Sequence, residues 1–163
     1  MSSEQLLAAI DKSLELQYET LGKAKKRLAM TDEIFAKIAI EQRIREELLP
    51  QICKDQSEYW KLLSQCANSY PVQESDAEYA IHQVIRDVEL VKSDDYADKL
   101  MRLLQEIKDK LNQPGTSAAA KAKLALPLIP GILSYEIELD TENSLRQIFQ
   151  PLKQLFRGEA EKK

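Results

Sequence analysis

Hydrophobic residues near the start of the chain recur at a helical spacing that continues without a break to about Met30. Ser2 and Gln5 fit the Ser/Thr-x-x-Glu/Gln capping box that begins many helices. The heptad positions are occupied by Leu7, Leu14, Leu21 and Leu28. A heptad repeat predicts a long helix that packs along another helix at a shallow angle. We favour a neighbour from the same chain, with dimerisation between two chains as the alternative.

A second helical stretch is predicted over residues 32–68, with Thr31 as its N-cap. Pro50 lies inside it and predicts either a kink or two abutting helices, because proline lacks an amide donor and clashes with the preceding turn. A short turn at Met30 and Thr31 would join the two helices as an antiparallel hairpin. The residues assigned to one apolar face of the second helix are Ile34, Phe35, Ile38, Ile44, Leu48 and Leu49.

Two further helices are predicted after a loop at 68–74. Ser75 and Glu78 fit a second capping box, and Ser93 is expected to begin the following helix, which stops at residues 112–115. The predicted fold class is therefore mainly α. Residues 1–113 would form a helical bundle of four to five helices that includes the long N-terminal hairpin.

The pattern changes in the last third of the chain. Pro127 and Pro130 predict a linker, and residues 132–140 (ILSYEIELD) alternate apolar and polar side chains, as a strand does. Asp140 or Thr141 would begin a C-terminal helix, which Pro151 interrupts and Gly158 ends. Residues 114–163 are thus predicted to be a separate region with a proline-containing linker, a short strand and a helix. Whether 132–140 forms a strand in the free protein stays open, because one strand cannot satisfy its own backbone hydrogen bonds.

Composition narrows the function classes. The 163 residues are 44% hydrophobic and 31% charged, which is typical of a globular protein that needs no disulfide or metal to fold. The net charge of −4 argues against a dominant nucleic-acid-binding role. No apolar run approaches the roughly 20 residues of a membrane-spanning helix. We find no secretory signal, so the predicted location is cytoplasmic.

Catalytic patterns are not found in the sequence. His82 has no nucleophile or carboxylate motif around it, and the acidic pairs Glu46-Glu47 and Asp94-Asp95 lack the spacing of a carboxylate metal site. No glycine-rich phosphate loop, nucleophile elbow or Cys-x-x-Cys motif occurs. We therefore expect a protein that is not an enzyme and that uses no cofactor or metal.

Two groups of residues are candidates for binding. A tail that pairs through a strand edge and docks an apolar helix would use known modes of peptide recognition, with another protein or a second copy as partner. Its candidate contacts are Leu128, Ile129, Ile132, Tyr135, Ile137, Leu139, Ile148, Phe149, Leu152 and Phe156. A basic cluster would serve the alternative function, that of a small helical subunit of a ribonucleoprotein assembly, and consists of Lys23, Lys25, Lys26 and Arg27. The apolar segment 124–133 could instead touch a membrane surface.

Two stretches resemble known modules. Residues 15–63, from ELQYETLGKAKKRLAM to SEYWKLL, resemble helical, coiled-coil-like modules found beside signalling domains in bacterial conflict systems. Residues 124–158 (LALPLIPGILSYEIELDTENSLRQIFQPLKQLFRG) resemble C-terminal segments of the same proteins, through the Leu-Pro-x-Ile-Pro-Gly stretch and the Leu-Asp-Thr-Glu helix start. The resemblance implies an adaptor or effector-associated scaffold, whose partner would be a NACHT-type NTPase, a TIR domain or a caspase-like protease. It implies no catalytic residue.

Overall fold

The computed structural model describes residues 2–69, 71–91, 98–138 and 144–161. All regular elements in these ranges are helical, and the described residues contain no β-strand. The mainly α prediction is therefore confirmed. The chain divides into two compact units, Met1–Tyr59 and Trp60–Lys163. The predicted boundary between 113 and 114 thus lies within the second unit.

The helices follow one another with short connections. The first unit contains α1 (Ser3–Met30), α2 (Ile34–Arg43), a π-helical turn (Ile44–Leu48) and the beginning of α3 (Leu49–Ala67). The described helices that lie wholly in the second unit are α4 (Glu74–Glu89), α5 (Asp98–Leu111), α6 (Ala118–Ala125), a 3-10 turn (Leu126–Leu128), α7 (Ile129–Glu138), α8 (Ser144–Ile148) and α9 (Gln150–Glu161).

The first unit contains the predicted antiparallel hairpin. The predicted capping box begins α1: Gln5 N–H donates to Ser2 Oγ at 3.2 Å, and Ser2 N–H donates to Gln5 Oε1 at 3.1 Å. Further along, Gln56 Nε2 donates to Tyr18 Oη at 2.9 Å and joins α3 to α1. The heptad positions Leu7, Leu14 and Leu21 are buried, while Leu28 is half-buried.

Pro50 gives a physical reason for the π-helical turn that precedes it. Leu49 N–H donates to the carbonyl of Ile44, five residues earlier. A turn of this kind takes up an extra residue and moves the carbonyls that the proline ring would otherwise meet. It also brings Ile44 and Ile52, eight positions apart and both buried, closer to one face. The predicted long kinked helix takes this form.

The predicted N-cap of the second helix is wrong. Thr31 closes α1 instead, because its backbone N–H donates to Leu28 and its Oγ1 donates to the carbonyl of Arg27 at 2.6 Å. Glu33 is the N-cap of α2. Its carboxylate accepts hydrogen bonds from the N–H groups of Phe35 and Ala36, at 2.9 and 2.7 Å. A glutamate at this position both satisfies orphan amides and complements the helix dipole.

The predicted strand is also wrong within the described residues, because residues 129–138 form α7, while 139 and 140 lie outside the described ranges. Ile129, Ile132 and Leu133 are buried at a spacing of three and four, so the helical period uses them as one face. Pro130 is the second residue of α7, where the missing N–H leaves no hydrogen bond unmade. The alternation of apolar and polar residues that predicted a strand therefore lies largely within a short, mostly apolar helix.

The C-terminal helices belong to the core of the second unit. Helix α4 packs against α6 and α9, and α5 packs against α6 and α7. Pro151 lies in the first turn of α9, which continues through Gly158 to Glu161, so the predicted end at Gly158 is wrong. The predicted helix starts at Ser93 and at Asp140 or Thr141 fall outside the described residues.

Glu74 connects two helices of this unit. Helix α4 begins at Glu74 after Gln73, whose side chain makes no capping bond, so the predicted capping box at Ser75 is wrong. The Glu74 carboxylate instead accepts hydrogen bonds from the first two N–H groups of α6, those of Ala118 at 2.8 Å and Ala119 at 3.1 Å. These bonds, that from Ala118 first, lower the pKa of Glu74 below its ordinary value.

We expect Glu74→Gln to destabilise the second unit at neutral pH and to have less effect in acid. A carboxyl whose pKa is lowered by folding stabilises the fold above its unfolded pKa, and this contribution is lost as the pH falls through the folded pKa. Unfolding by urea at a series of pH values measures the difference. Glu78→Gln, at an exposed position of the same helix, is the control. Parallel stability curves for the Glu74 variant and the wild type would contradict the assignment.

Candidate functional site

An exposed row of large apolar side chains lies on α2. Phe35 is 78% exposed, Ile34 63% and Ile38 52%; we call these three residues the α2 stripe. Met30, at the end of α1, is also exposed. Residues three and four apart on a helix are neighbours, so the three side chains form one continuous surface. Contiguous apolar surface of this kind marks interaction sites more often than isolated exposed side chains do.

The stripe is exposed because α2 is apolar on two opposite faces. Ala36 and Ile40 are half-buried and Ile44 is buried, and this i, i+4, i+8 row faces α1. With about 100° between successive residues, the stripe lies on the opposite side of the helix. The sequence prediction merged Ile34, Phe35 and Ile38 with Ile44 into one buried face. The sequence does contain a sign of two faces: the apolar positions in this segment are too many for one face of a helix.

Most of the tail residues predicted as partner contacts lie in the core of the second unit. The buried members are Ile129, Ile132, Ile148, Phe149, Leu152 and Phe156. Leu128 and Tyr135 are half-buried, and Lys99 Nζ lies 5.1 Å from the centre of the Tyr135 ring. The side chain of Ile137 and all of Leu139 lie outside the described residues. A partner could reach the buried set only if α7–α9 detached, so this role stays a prediction that the packing does not favour.

Three of the four residues of the basic cluster are neighbours on α1, since Lys26 and Arg27 lie three and four positions after Lys23. Lys23 and Arg27 line a small groove of about 190 Å³ between α1 and α2, together with Arg43 and the apolar side chains of Ile40 and Leu48. Lys23 is already paired with Glu19 at 3.2 Å, and Arg43 with Glu47 at 3.6 Å.

The other two lysines of the cluster are not among the residues that line this groove. Lys26 is exposed and neighbours Lys23 on the helix, whereas Lys25 is half-buried and lies roughly half a turn around the helix from Lys23. Only two of the four predicted nucleic-acid contacts therefore share one groove.

The second unit has a larger open groove of about 550 Å³ between the start of α4 and α9. The ionisable side chains among those that line it are Asp76 and Tyr79, and the groove also contains the apolar side chains of Val72, Pro151 and Leu155. A single carboxyl and a phenol provide neither a nucleophile–base pair nor a metal ligand set.

The described ranges provide neither a metal centre nor a membrane-spanning helix. His82 is exposed on α4. No group of three or more histidine, cysteine or carboxylate side chains in the described ranges is arranged to hold a metal ion. Among the same residues, no helix has both the length and the apolar character needed to span a membrane.

No protein-family model, curated protein or solved structure matches the chain. The resemblance to conflict-system modules therefore stays a prediction from the residues quoted for it.

Proposed function

We propose that the chain is a non-catalytic protein–protein interaction module, an adaptor or effector-associated scaffold of a cytoplasmic bacterial signalling or defence complex. The observation that supports this proposal most is the α2 stripe. Large apolar side chains such as Phe35 contribute strongly to protein interfaces when a partner removes them from water. The sequence resemblance adds the class of partner, an NTPase, TIR or protease effector.

The support for the stripe is stronger than that for the tail. A tail contact would require Ile132 or Phe149 to leave a packed core, whereas Phe35 and Ile38 are already accessible. The ribonucleoprotein alternative has weaker support, because Lys25 lies away from the other cations of the basic cluster and two of the three cations in the α1–α2 groove already pair with glutamates. Binding through the stripe needs no rearrangement of the described helices.

We expect Phe35→Glu/Ile38→Glu to abolish partner binding without unfolding the protein, since substitutions at exposed positions usually change stability little. The full-length bait, this variant and a control are incubated with nuclease-treated host lysate that also contains an untagged copy of the chain. Retained proteins are identified by mass spectrometry and purified. The affinity of each purified protein is then measured separately for the wild type, the stripe variant and the control. The control, Tyr79→Glu/Leu124→Glu, places the same charges at positions that are 67% and 50% exposed in the second unit.

The proposal is supported when a purified protein binds the wild type and the control alike, and binds the stripe variant at least about tenfold more weakly. Equal binding by all three baits contradicts a role for the stripe. A parallel incubation omits the nuclease, and proteins that are retained only in that untreated lysate favour the ribonucleoprotein alternative. A bait truncated at Gly115 is unsuitable, because the truncation would remove the buried Ile129, Ile132 and Phe149 from the core.

A further inference from the structure

The charged residues beside the α2 stripe are arranged so that the same surface of a second copy would complement them. Lys37 and Glu41 are exposed and one helical turn apart, so both lie on the same flank of the stripe. Neither forms an ion pair within the described residues. Along the helix axis, the level midway between them is that of Ala39, whose own side chain lies about half a turn around the helix. Opposite charges placed symmetrically about this level suit a two-fold axis that crosses the stripe there.

We propose that the occupant of the stripe is the stripe of a second copy of this chain, with the two α2 helices antiparallel about an axis that crosses the stripe at the level of Ala39. The proposal rests on the proposed function and names its partner. In an isologous pair the same surface of each copy meets the other. The axis places Lys37 of each copy opposite Glu41 of its partner, and Ile38 beside the Ile38 of the other copy.

Alternative occupants fit the charges less well. In a parallel pair, a two-fold axis along the helices would turn the flank with Lys37 and Glu41 toward the partner's other flank, beside Phe35, so neither charge would meet its opposite. An anionic membrane would meet the exposed acidic side chains of Glu41 and Glu46 as well as the exposed basic ones of Lys37 and Arg45, so it would oppose only part of these charges with their opposite. The antiparallel pair covers the apolar side chains and opposes each charge with its opposite.

The contact is small, and this determines how it should be measured. Helix α2 has 10 residues and is thus about 15 Å long. Stable interfaces usually bury about 800 Å² on each partner, more than one short helix face offers. We therefore expect a dimer that dissociates on dilution, so that its affinity can be measured by sedimentation equilibrium.

Charge reversal tests both the partner and the orientation. Lys37→Glu alone brings two carboxylates together at each of the two contacts, and Glu41→Lys alone brings two ammonium groups together there. Each single variant is therefore expected to weaken dimerisation of the full chain at least about tenfold. Mixing these two variants restores attraction at both contacts and should give a heterodimer, identified by native mass spectrometry with one copy labelled with ¹⁵N. The double variant Lys37→Glu/Glu41→Lys should dimerise within about threefold of the wild type.

Controls separate a specific contact from a change in net charge. Lys54 and Glu58 have the same i, i+4 arrangement at exposed positions of α3. Lys54→Glu should leave the dimer unchanged, whereas Phe35→Glu/Ile38→Glu should abolish it. Circular dichroism confirms that each variant remains helical.

The proposal is overturned by a wild type that stays monomeric up to about 1 mM, by single reversals that dimerise like the wild type, or by a mixture that stays monomeric. A monomer that binds vesicles of anionic phospholipid also overturns it. A monomer that binds a different protein through Phe35 overturns the second copy as occupant but leaves the proposed function standing. Loss of both kinds of binding contradicts both proposals.

Discussion

Replacing Ile132 with aspartate is expected to destabilise the second unit by about 4–5 kcal/mol or more. Ile132 is 0% exposed in α7, so the substitution places a charge in the core without a partner. Domains of this size have a total stability of about 5–15 kcal/mol, so the variant would be largely unfolded or close to it. Far-UV circular dichroism and the fluorescence of the buried Trp60 in the same unit measure the loss.

The control for this substitution is Leu124→Asp, on the preceding helix α6 of the same unit. Leu124 is 50% exposed, so its replacement is expected to change the free energy of unfolding far less. If Ile132→Asp does not accumulate as a folded protein, Ile132→Val gives a measurable loss of about 0.5–1.5 kcal/mol. An Ile132→Asp protein with native helix content and an unchanged unfolding midpoint would show that the segment is not core, and would restore the tail-docking hypothesis.

The predicted strand and the predicted proline interruptions in the tail differ from the structure, and the reasons show where a sequence pattern is informative. Alternation over nine residues is too short to separate a strand from a helix when several polar positions also fit a helical face. The decisive positions are Ile129, Ile132 and Leu133, whose spacing of three and four matches α7. Pro130 was predicted to lie in a linker and Pro151 to interrupt a helix. Both lie instead in the first turns of helices, where they do not interrupt hydrogen bonding.

Locally determined features were predicted more successfully. The Ser2–Gln5 capping box and the end of α5 before Gly115, which has a positive φ of 77°, depend on residues a few positions apart. The caps at Glu33 and Glu74 were missed for two reasons. Glutamate is not among the favoured N-cap residues, and Glu74 caps a helix that begins 44 positions later, which no local pattern shows.

The candidate site depended on a question that residue type alone does not answer, namely which apolar face of α2 the hairpin buries. The face with Ile44 packs because the register of α1 against α2 is fixed by contacts further along, including the Tyr18–Gln56 hydrogen bond. The face with Phe35 is left exposed as a consequence. Sequence patterns locate apolar side chains, but the excess of apolar positions over one buried face is what indicates a binding surface.

Replacing Leu14 with alanine is expected to cost about 2–4 kcal/mol, whereas Leu16→Ala should cost less than about 0.5 kcal/mol. The two residues lie on the same helix and undergo the same change in helix propensity, but Leu14 is 4% exposed and Leu16 is 56% exposed. Since Leu14 is buried within a single chain, the loss should be the same at every protein concentration. A loss that shrinks on dilution, as wild type and variant both dissociate, would place the heptad leucines between two chains, and the α2 stripe would then not be needed for self-association.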